Sequence, residues 1–169
     1  MPALDVPPTR RDGLLLRPYA RGDLDLLTSL VTRDDVMARV GGALRVDEVA
    51  GLLERYLMPD DPRVLCALAV FDGSSGAYVG TALLTRCREV DGDAPELGFA
   101  VHPDHQGRGH ATAIARALID IAREHTGAAR VYATVDEDHA ASIRVLEKAG
   151  LARERVCRDA DGDYLLFRA

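Results

Sequence analysis

The sequence lacks several features that would place it in a class of protein at once. No run approaches the roughly 20 apolar residues that span a bilayer, and the first residues lack the apolar stretch of a secretion signal. Only three cysteines occur, Cys66, Cys87 and Cys157, and no C-x-x-C pair is present, which argues against the disulfide framework of small secreted domains. These absences predict a soluble cytoplasmic protein with no membrane partner and with reduced, structural cysteines.

Basic residues are also fewer than acidic ones. The chain carries 27 acidic against 21 basic residues, for a formal charge of -6 and a pI near 5.3, so its field repels a phosphate backbone. We therefore expect no nucleic-acid partner. What is present suits a globular protein, because 169 residues with 47% hydrophobic and 28% charged side chains are enough for one compact core.

The start of the chain differs in composition from the rest. Residues 1–12 contain Pro2, Pro7, Pro8 and the pair Arg10 and Arg11, which predicts a flexible polar lead-in without a packed face. Residues 13–169 are predicted to form a single domain, since no repeat, low-complexity segment or long linker divides them.

The hydrophobic periodicity alternates between strands and helices, which predicts a mixed α/β fold. Helices are expected after Asp23, after Asp47 as far as Pro59, over 109–126 and over 139–149, where apolar residues recur at helical spacing and glycine or proline follows. Strands are expected over 14–17, 64–71, 78–88, 96–101, 130–135, 152–158 and 164–168, with a turn at 159–162 before the last of them. In strand 96–101, Leu97, Phe99 and Val101 are predicted to face the core, while the opposite face is nearly bare of side chains.

The junction after that strand is the most informative stretch. Gly107, Gly109 and Ala111 keep side chains away from the first turn of the following helix, so its unpaired N–H groups can face an anion at close range. No Lys-Ser or Lys-Thr follows the glycines, as a P-loop requires, and the third glycine of the dinucleotide fingerprint is absent. Glycine spacing by itself leaves two interpretations open, a phosphate cradle and a tight strand-to-helix turn.

Two motifs resemble one family. Gln106-x-x-Gly109-x-Ala111 resembles the Q/R-x-x-G-x-G/A motif of the GNAT superfamily of acetyl-CoA-dependent N-acetyltransferases. Residues 139–151, His-Ala-Ala-Ser-Ile-Arg-Val-Leu-Glu-Lys-Ala-Gly-Leu, resemble the N-x-x-S-x-x-x-L-E-K-x-G-F motif of the branch that includes the ribosomal-protein N-terminal acetyltransferases. The resemblance extends from about Leu14 to the C-terminus. It implies a mixed, mostly antiparallel sheet of about six or seven strands, splayed at the centre, with helices on both faces.

The resemblance also implies a cofactor and a reaction. The cofactor is acetyl-CoA, without metal, and the enzyme is an acyltransferase that moves the acetyl group to a primary amine by direct attack in a ternary complex. Pantetheine would pair with the strand at Phe99, Ala100 and Val101. The pyrophosphate would lie on the loop and helix start, which comprise Gln106, Gly107, Arg108, Gly109, His110, Ala111 and Thr112.

Two side chains are candidates for the chemistry. Glu96 matches the position of the glutamate general base in many family members, and the alternative is a solvated carboxylate at a strand end. Ser142 matches the motif serine that hydrogen-bonds or protonates the departing thiolate, and the alternative is a helix serine bonded to backbone. A backbone N–H near Ala100 or Val101 is the expected oxyanion donor.

Two residues depart from the family pattern. Leu146 stands where many members have a tyrosine general acid, so Ser142 or water must supply that proton. His139 replaces the motif asparagine, and histidine can still donate to a pantetheine carbonyl or supply a proton near neutral pH. These departures keep a second hypothesis open, a non-catalytic acyl-CoA-binding or sensing module of the same fold.

The acceptor and the oligomeric state are less constrained. The acidic balance favours a protein N-terminus or a small cationic amine such as a polyamine or an aminoglycoside-like compound. The resemblance allows a homodimer, since dimers are common in the family, but no residue argues for one. His102, His105 and His110 straddle a strand end, a turn and a helix start, and no cysteine or neighbouring acid completes a zinc pattern.

Overall fold

The computed structural model describes residues 2–58, 61–160 and 162–169. Two residues used in the predictions, Pro59 and Asp161, lie outside this part of the chain. Within it, eight strands form one sheet in the order β1-β2-β3-β4-β5-β6-β8-β7. The strands are β1 (Thr9–Arg11), β2 (Leu14–Pro18), β3 (Val64–Asp72), β4 (Tyr78–Arg86), β5 (Pro95–Val101), β6 (Tyr132–Asp136), β7 (Ala152–Arg158) and β8 (Asp163–Arg168).

Five α-helices cover the sheet. They are α1 (Leu24–Val31), α2 (Asp34–Met37), α3 (Val46–Leu57), α4 (His110–Thr126) and α5 (Ala140–Lys148). Leu97 and Val101 belong to the apolar cluster beneath α4, whereas Ala100 belongs to the cluster beneath α1, α2 and α3. The mixed fold with helices on both faces is therefore confirmed. No helix in the described residues is long and apolar enough to cross a membrane.

The sheet has two halves that pair differently. Every neighbouring pair from β1 to β5 is antiparallel, as are the pairs β6–β8 and β8–β7. The halves meet where β5 and β6 run parallel, and only the pair Glu96 and Tyr132 is in register there. Beyond that pair the strands separate, which is the central splay that the family resemblance implied.

The prediction that the first twelve residues lack a packed face is wrong. Val6 is 2% exposed and belongs to the main core, and Leu4 N–H donates to Leu65 O at 2.7 Å. Residues Thr9–Arg11 pair with β2 and add an edge strand to the sheet. The prolines of this segment suit an extended chain at a sheet edge, where missing amide donors cost little. Their number therefore did not indicate a flexible segment.

Smaller differences concern the ends of elements. Asp47 lies inside α3, because the N-cap is Arg45, whose backbone N–H donates to the Glu48 side chain at 2.8 Å. Strand β3 is buried along both faces, as its unbroken apolar run predicted. On the side of β5 opposite Leu97, Gly98 has no side chain and Ala100 has only a methyl group, which is 6% exposed because it belongs to the cluster beneath α1, α2 and α3. Cys66, Cys87 and Cys157 are buried and none of them forms a disulfide.

Candidate active site

The splay between β5 and β6 opens a cleft of about 1450 Å³. Residues of β4, β5, β6 and the start of α5 contribute to its walls, with Glu96, Gly98 and Phe99 on one side and Thr134 and Ser142 on the other, and the segments beside β3, β5 and β8 and after α2 complete the lining. On the cleft side, the edge of β5 beyond Glu96 has no strand partner in the described residues. An unpaired strand edge presents backbone N–H and C=O groups in a row, so it can bind an extended ligand that carries amides.

The free edge of β5 leads directly to the start of α4. Gly107 and Gly109 have φ values of 72° and 83°, in the left-handed region that favours glycine. The first amide of α4 with a helical partner is that of Ala113, which donates to Gly109 O at 3.1 Å. The preceding amides of the first turn are thus free to face an anion, and no acidic residue lies in that turn to compete.

Side chains of the loop are engaged within the protein. Gln106 Nε2 donates to Val101 O at 3.0 Å, and His110 Nδ1 lies 3.0 Å from His105 O. His110 Nε2 also lies 3.6 Å from an Asp72 carboxylate oxygen. These contacts hold both side chains against the protein. The backbone N–H of Gln106 donates to Pro103 O at 3.2 Å, so among these two residues the amide of His110 is the one that can serve an anion.

Glu96 is half-buried at the closed end of the splay. Thr134 Oγ1 donates to Glu96 Oε1 at 2.6 Å. Burial raises the pKa of Glu96 above its usual value, while the hydrogen bonds from Thr134 and Cys87 lower that pKa in part. A carboxylate with a raised pKa is a better proton acceptor near neutral pH, and this environment differs from that of a solvated strand-end carboxylate.

Ser142 and His139 lie together on the opposite wall of the cleft. Ser142 Oγ is 3.3 Å from His139 Nε2. Burial lowers the pKa of His139, and the nearby Arg39 cation lowers it further. Leu146 also reaches the cleft but is only 2% exposed and belongs to the main core. This wall therefore has a hydroxyl and an imidazole as candidate proton donors, while the position of the tyrosine found in many family members is taken by Leu146.

Two side chains at this site were missed from the sequence. Thr134 has an exposed position on β6, and period-two alternation could have shown its orientation but not that it meets Glu96. Arg39 lies just after α2, in a stretch whose periodicity was ambiguous, and its guanidinium pairs with Asp138 at 2.5 Å and with Asp136 at 3.5 Å. It thereby links the segment after α2 to the segment after β6.

Histidines near the loop do not form a metal centre in the described residues. The ring centroids of His102 and His105 are 6.2 Å apart, and those of His105 and His110 are 5.9 Å apart. No group of three or more His, Cys, Asp or Glu side chains in this part of the chain could hold a metal ion.

A mixed sheet that splits beside a glycine-rich helix start is the architecture that the resemblance to acetyl-CoA-dependent acetyltransferases implied. The chain matches the model of the acetyltransferase (GNAT) domain over residues 13–152. It therefore belongs to the GNAT family of acetyltransferases. The prediction from Gln106-x-x-Gly109-x-Ala111 is confirmed at this level, while membership of the ribosomal-protein branch stays a prediction.

Solved structures of the family have the same fold along nearly the whole chain. A putative GNAT-family acetyltransferase from Bordetella pertussis is 25% identical, with a TM-score of 0.76 over 96% of this chain and 99% of that one. The spermidine N-acetyltransferase from Vibrio cholerae, in complex with CoA and spermine, is 19% identical, with a TM-score of 0.77 over 93% of this chain and 95% of that one. An aminoglycoside acetyltransferase in complex with coenzyme A is 18% identical, with a TM-score of 0.79 over 92% and 94%.

Proposed function

We propose that the chain transfers the acetyl group of acetyl-CoA to the primary amine of a small cationic acceptor. The observation that carries this proposal is the continuity of the free β5 edge with the start of α4, across a loop that leaves room for a ligand. A Cβ built on Gly107 or Gly109 would meet no atom within 4 Å, so the space beside these two glycines is open to a ligand. The alternative of a purely structural glycine turn gives no reason for free amides beside an open strand edge.

The chain can bind the two parts of coenzyme A with different groups. The edge of β5 at Phe99, Ala100 and Val101 can pair with the amides of pantetheine as an added strand does. The backbone at 106–112 can bind the pyrophosphate through N–H groups and the positive end of the α4 dipole. His139 lies on the facing wall and can donate to a pantetheine carbonyl in place of the motif asparagine.

The residues of the cleft can supply each proton transfer of the reaction. Bound acetyl-CoA supplies a thioester as the acyl donor. Glu96 accepts the proton that the amine loses as its nitrogen bonds to the acyl carbon, directly or through a water. An N–H of β5 near Ala100 or Val101 stabilises the developing oxyanion, and Ser142 donates a proton to the sulfur as the C–S bond breaks.

Charge in the cleft favours a cationic acceptor. The described lining residues include eight carboxylates and four guanidinium groups: Asp61, Glu89, Glu96, Asp136, Glu137, Asp138, Asp159 and Asp163 against Arg39, Arg63, Arg86 and Arg88. Ion pairs with residues outside the lining make the negative excess smaller than these numbers, because Arg153, Arg155 and Arg158 pair with three of the carboxylates, whereas Asp93 pairs with Arg86. An acidic cleft raises the local concentration of cations. The aminoglycoside and spermidine acetyltransferases named above act on amines of this kind. Their similarity in fold to this chain therefore supports the same class of acceptor as the charge of the cleft does. A protein N-terminus is the second candidate acceptor, because residues 139–151 resemble the motif of the ribosomal-protein branch.

The first test combines binding with turnover in one preparation. Calorimetric titration should show that acetyl-CoA and CoA bind and that ATP binds far more weakly. Release of free thiol from acetyl-CoA should then be measured with spermidine, an aminoglycoside and a short peptide with a free N-terminus, and we expect the polyamine or the aminoglycoside to react fastest. Coenzyme binding without thiol release for any amine would support the non-catalytic module, and no binding of either CoA form would refute the cofactor site.

Ser142→Ala should lower kcat by about ten- to a hundredfold, since general-acid help is worth at least that much where the leaving group needs a proton. The dissociation constant of acetyl-CoA, measured by calorimetry, should change little. Ser142→Thr keeps a hydroxyl at the same place and serves as the matched control. Equal kcat for the alanine variant and the native protein would mean that Ser142 is a helix serine that only bonds His139.

A further inference from the structure

We infer that Thr134 is the positioning residue of the general base, holding Glu96 in place from the other half of the split sheet. This inference rests on the proposed function, because it assigns a role to the partner of Glu96 in that reaction. The bond that carries it joins Thr134 Oγ1 to Glu96 Oε1 at 2.6 Å. Both residues line the cleft.

The register of the strands explains how Thr134 reaches Glu96 from the other half of the sheet. Glu96 is in register with Tyr132, the single paired position between β5 and β6. Thr134 lies two residues after Tyr132 on β6, so the two side chains are on the same face of the strand. At this point β5 and β6 have begun to diverge. Its hydroxyl therefore reaches Glu96 across the apex of the cleft and ties the base to both halves of the sheet.

This contact anchors one oxygen of the Glu96 carboxylate. Oε1 accepts the hydrogen bond from the Thr134 hydroxyl, and an ionised carboxylate has further lone pairs that can take a proton from the amine or from a water. A glutamate has three rotatable side-chain bonds, and anchoring one oxygen restricts them in the direction of the cleft. A base held in one orientation keeps its lone pair near the reacting nitrogen, and such positioning increases the rate of proton transfer.

Other groups near Glu96 shift its pKa but do not replace the hydrogen bond from Thr134. The Cys87 thiol and the Glu89 carboxylate come from the connection between β4 and β5 and act in opposite directions on the pKa of Glu96, the thiol lowering it and the carboxylate raising it. Thr85 is the cross-strand partner of Glu96 on β4, and Tyr132 is its partner on β6. Thr134 and Cys87 both hydrogen-bond the Glu96 carboxylate, and of these two Thr134 is the one that reaches it from the other half of the split sheet.

The sign of the expected pH effect follows from the charge state that Thr134 favours. A hydroxyl that donates to a carboxylate stabilises the ionised form and lowers its pKa. Removal of the hydroxyl should therefore raise the pKa of Glu96 by about one unit, which is the size expected for one hydrogen bond to a charged group. The acid limb of the kcat/KM profile should move to higher pH by the same amount.

Three substitutions test the role. Thr134→Val is nearly isosteric and suits a strand, so the fold should be kept, while Thr134→Ser keeps the hydroxyl. Thr85→Val removes the hydroxyl on the other side of Glu96 and is the matched control. The pKa of Glu96 should be measured in each protein from the chemical shift of its side-chain carboxyl carbon by ¹³C NMR, with the Glu96 signal assigned by its loss in Glu96→Gln.

The NMR titration gives an answer even before an acceptor is known. We expect a higher pKa for Thr134→Val, a native value for Thr134→Ser and for Thr85→Val, and a matching shift of the kcat/KM profile with no change in the affinity for acetyl-CoA. An unchanged pKa and an unchanged pH profile in Thr134→Val would overturn the inference.

Failure of the inference can be told apart from failure of the proposed function. If native protein turns over an amine and Glu96→Gln is impaired while Thr134→Val behaves as native, the function stands and the positioning role is wrong. If Thr134→Val raises the pKa of Glu96 but leaves kcat and its pH dependence unchanged, Glu96 is not the base and the inference falls with that assignment. If Thr134→Val loses its folded NMR spectrum, Thr134→Ala replaces it in the same comparison.

Discussion

Gly109→Asp is expected to abolish the binding of coenzyme A without unfolding the protein. The new carboxylate would stand at the N-cap of α4, next to the amides that are free to bind pyrophosphate. Two unit charges about 4 Å apart repel by roughly 4 kcal/mol at an effective dielectric constant near 20, which corresponds to about a thousandfold rise in Kd. Calorimetric titration with acetyl-CoA measures this loss.

Gly109→Asn is the matched control for that experiment. Gly109 has a φ of 83°, so both substitutions impose the same backbone cost, about 1 kcal/mol for residues that tolerate the left-handed region. Coenzyme binding by Asn but not by Asp isolates the effect of charge, and a folded Asp variant that still binds acetyl-CoA would refute the assignment of the 106–112 backbone to the pyrophosphate.

Glu96→Gln is expected to reduce kcat by about a hundred- to a thousandfold, within the range for loss of a general base. Glutamine has nearly the same shape and can still accept the hydrogen bond from Thr134, but its amide cannot take a proton from the amine. The effect should fall on kcat in single-turnover or steady-state assays, while the affinity for acetyl-CoA stays close to native. The pH profile should lose its acid limb, because the group that must be ionised is gone.

Loss of one negative charge by itself should not mimic this result. Glu154→Gln removes a carboxylate on β7, where Glu154 pairs with Arg168 at 3.3 Å, and it controls for the change in net charge. Native kcat in Glu96→Gln would show that Glu96 is a buried structural carboxylate and that the amine loses its proton elsewhere.

Much of the fold could be predicted from local pattern. The α4 helix was expected over 109–126 and spans His110–Thr126, and β7 was expected over 152–158 and spans Ala152–Arg158. Both have clear boundaries in the sequence, a glycine or proline beside a run of fixed period. Residues 1–12 were misjudged, because the burial of this segment depends on β3, which is distant in sequence: Leu4 N–H donates to Leu65 O, and Val6 is 2% exposed.

The sequence was also enough to locate the glycine loop at the start of α4. Gly107 and Gly109 act through backbone conformation and the absence of side chains, and such local properties can be read from residue type and spacing alone. The match of residues 13–152 to the acetyltransferase (GNAT) domain agrees with that interpretation. Glu96 and Ser142 stay predictions of function, and so do the acceptor, a homodimer and a cytoplasmic location.

The sequence by itself determined the family, the order of the elements and the position of the glycine loop, because each of these depends on residues close together in the chain. Only the tertiary structure decided which side chains meet across the cleft. Thr134 lies 38 positions from Glu96, and Arg39 lies 99 positions from Asp138, so no local period could have paired them. Their contacts arise because β5 and β6 share one register pair and then separate, and strand register between distant segments is set by the packing of the whole sheet.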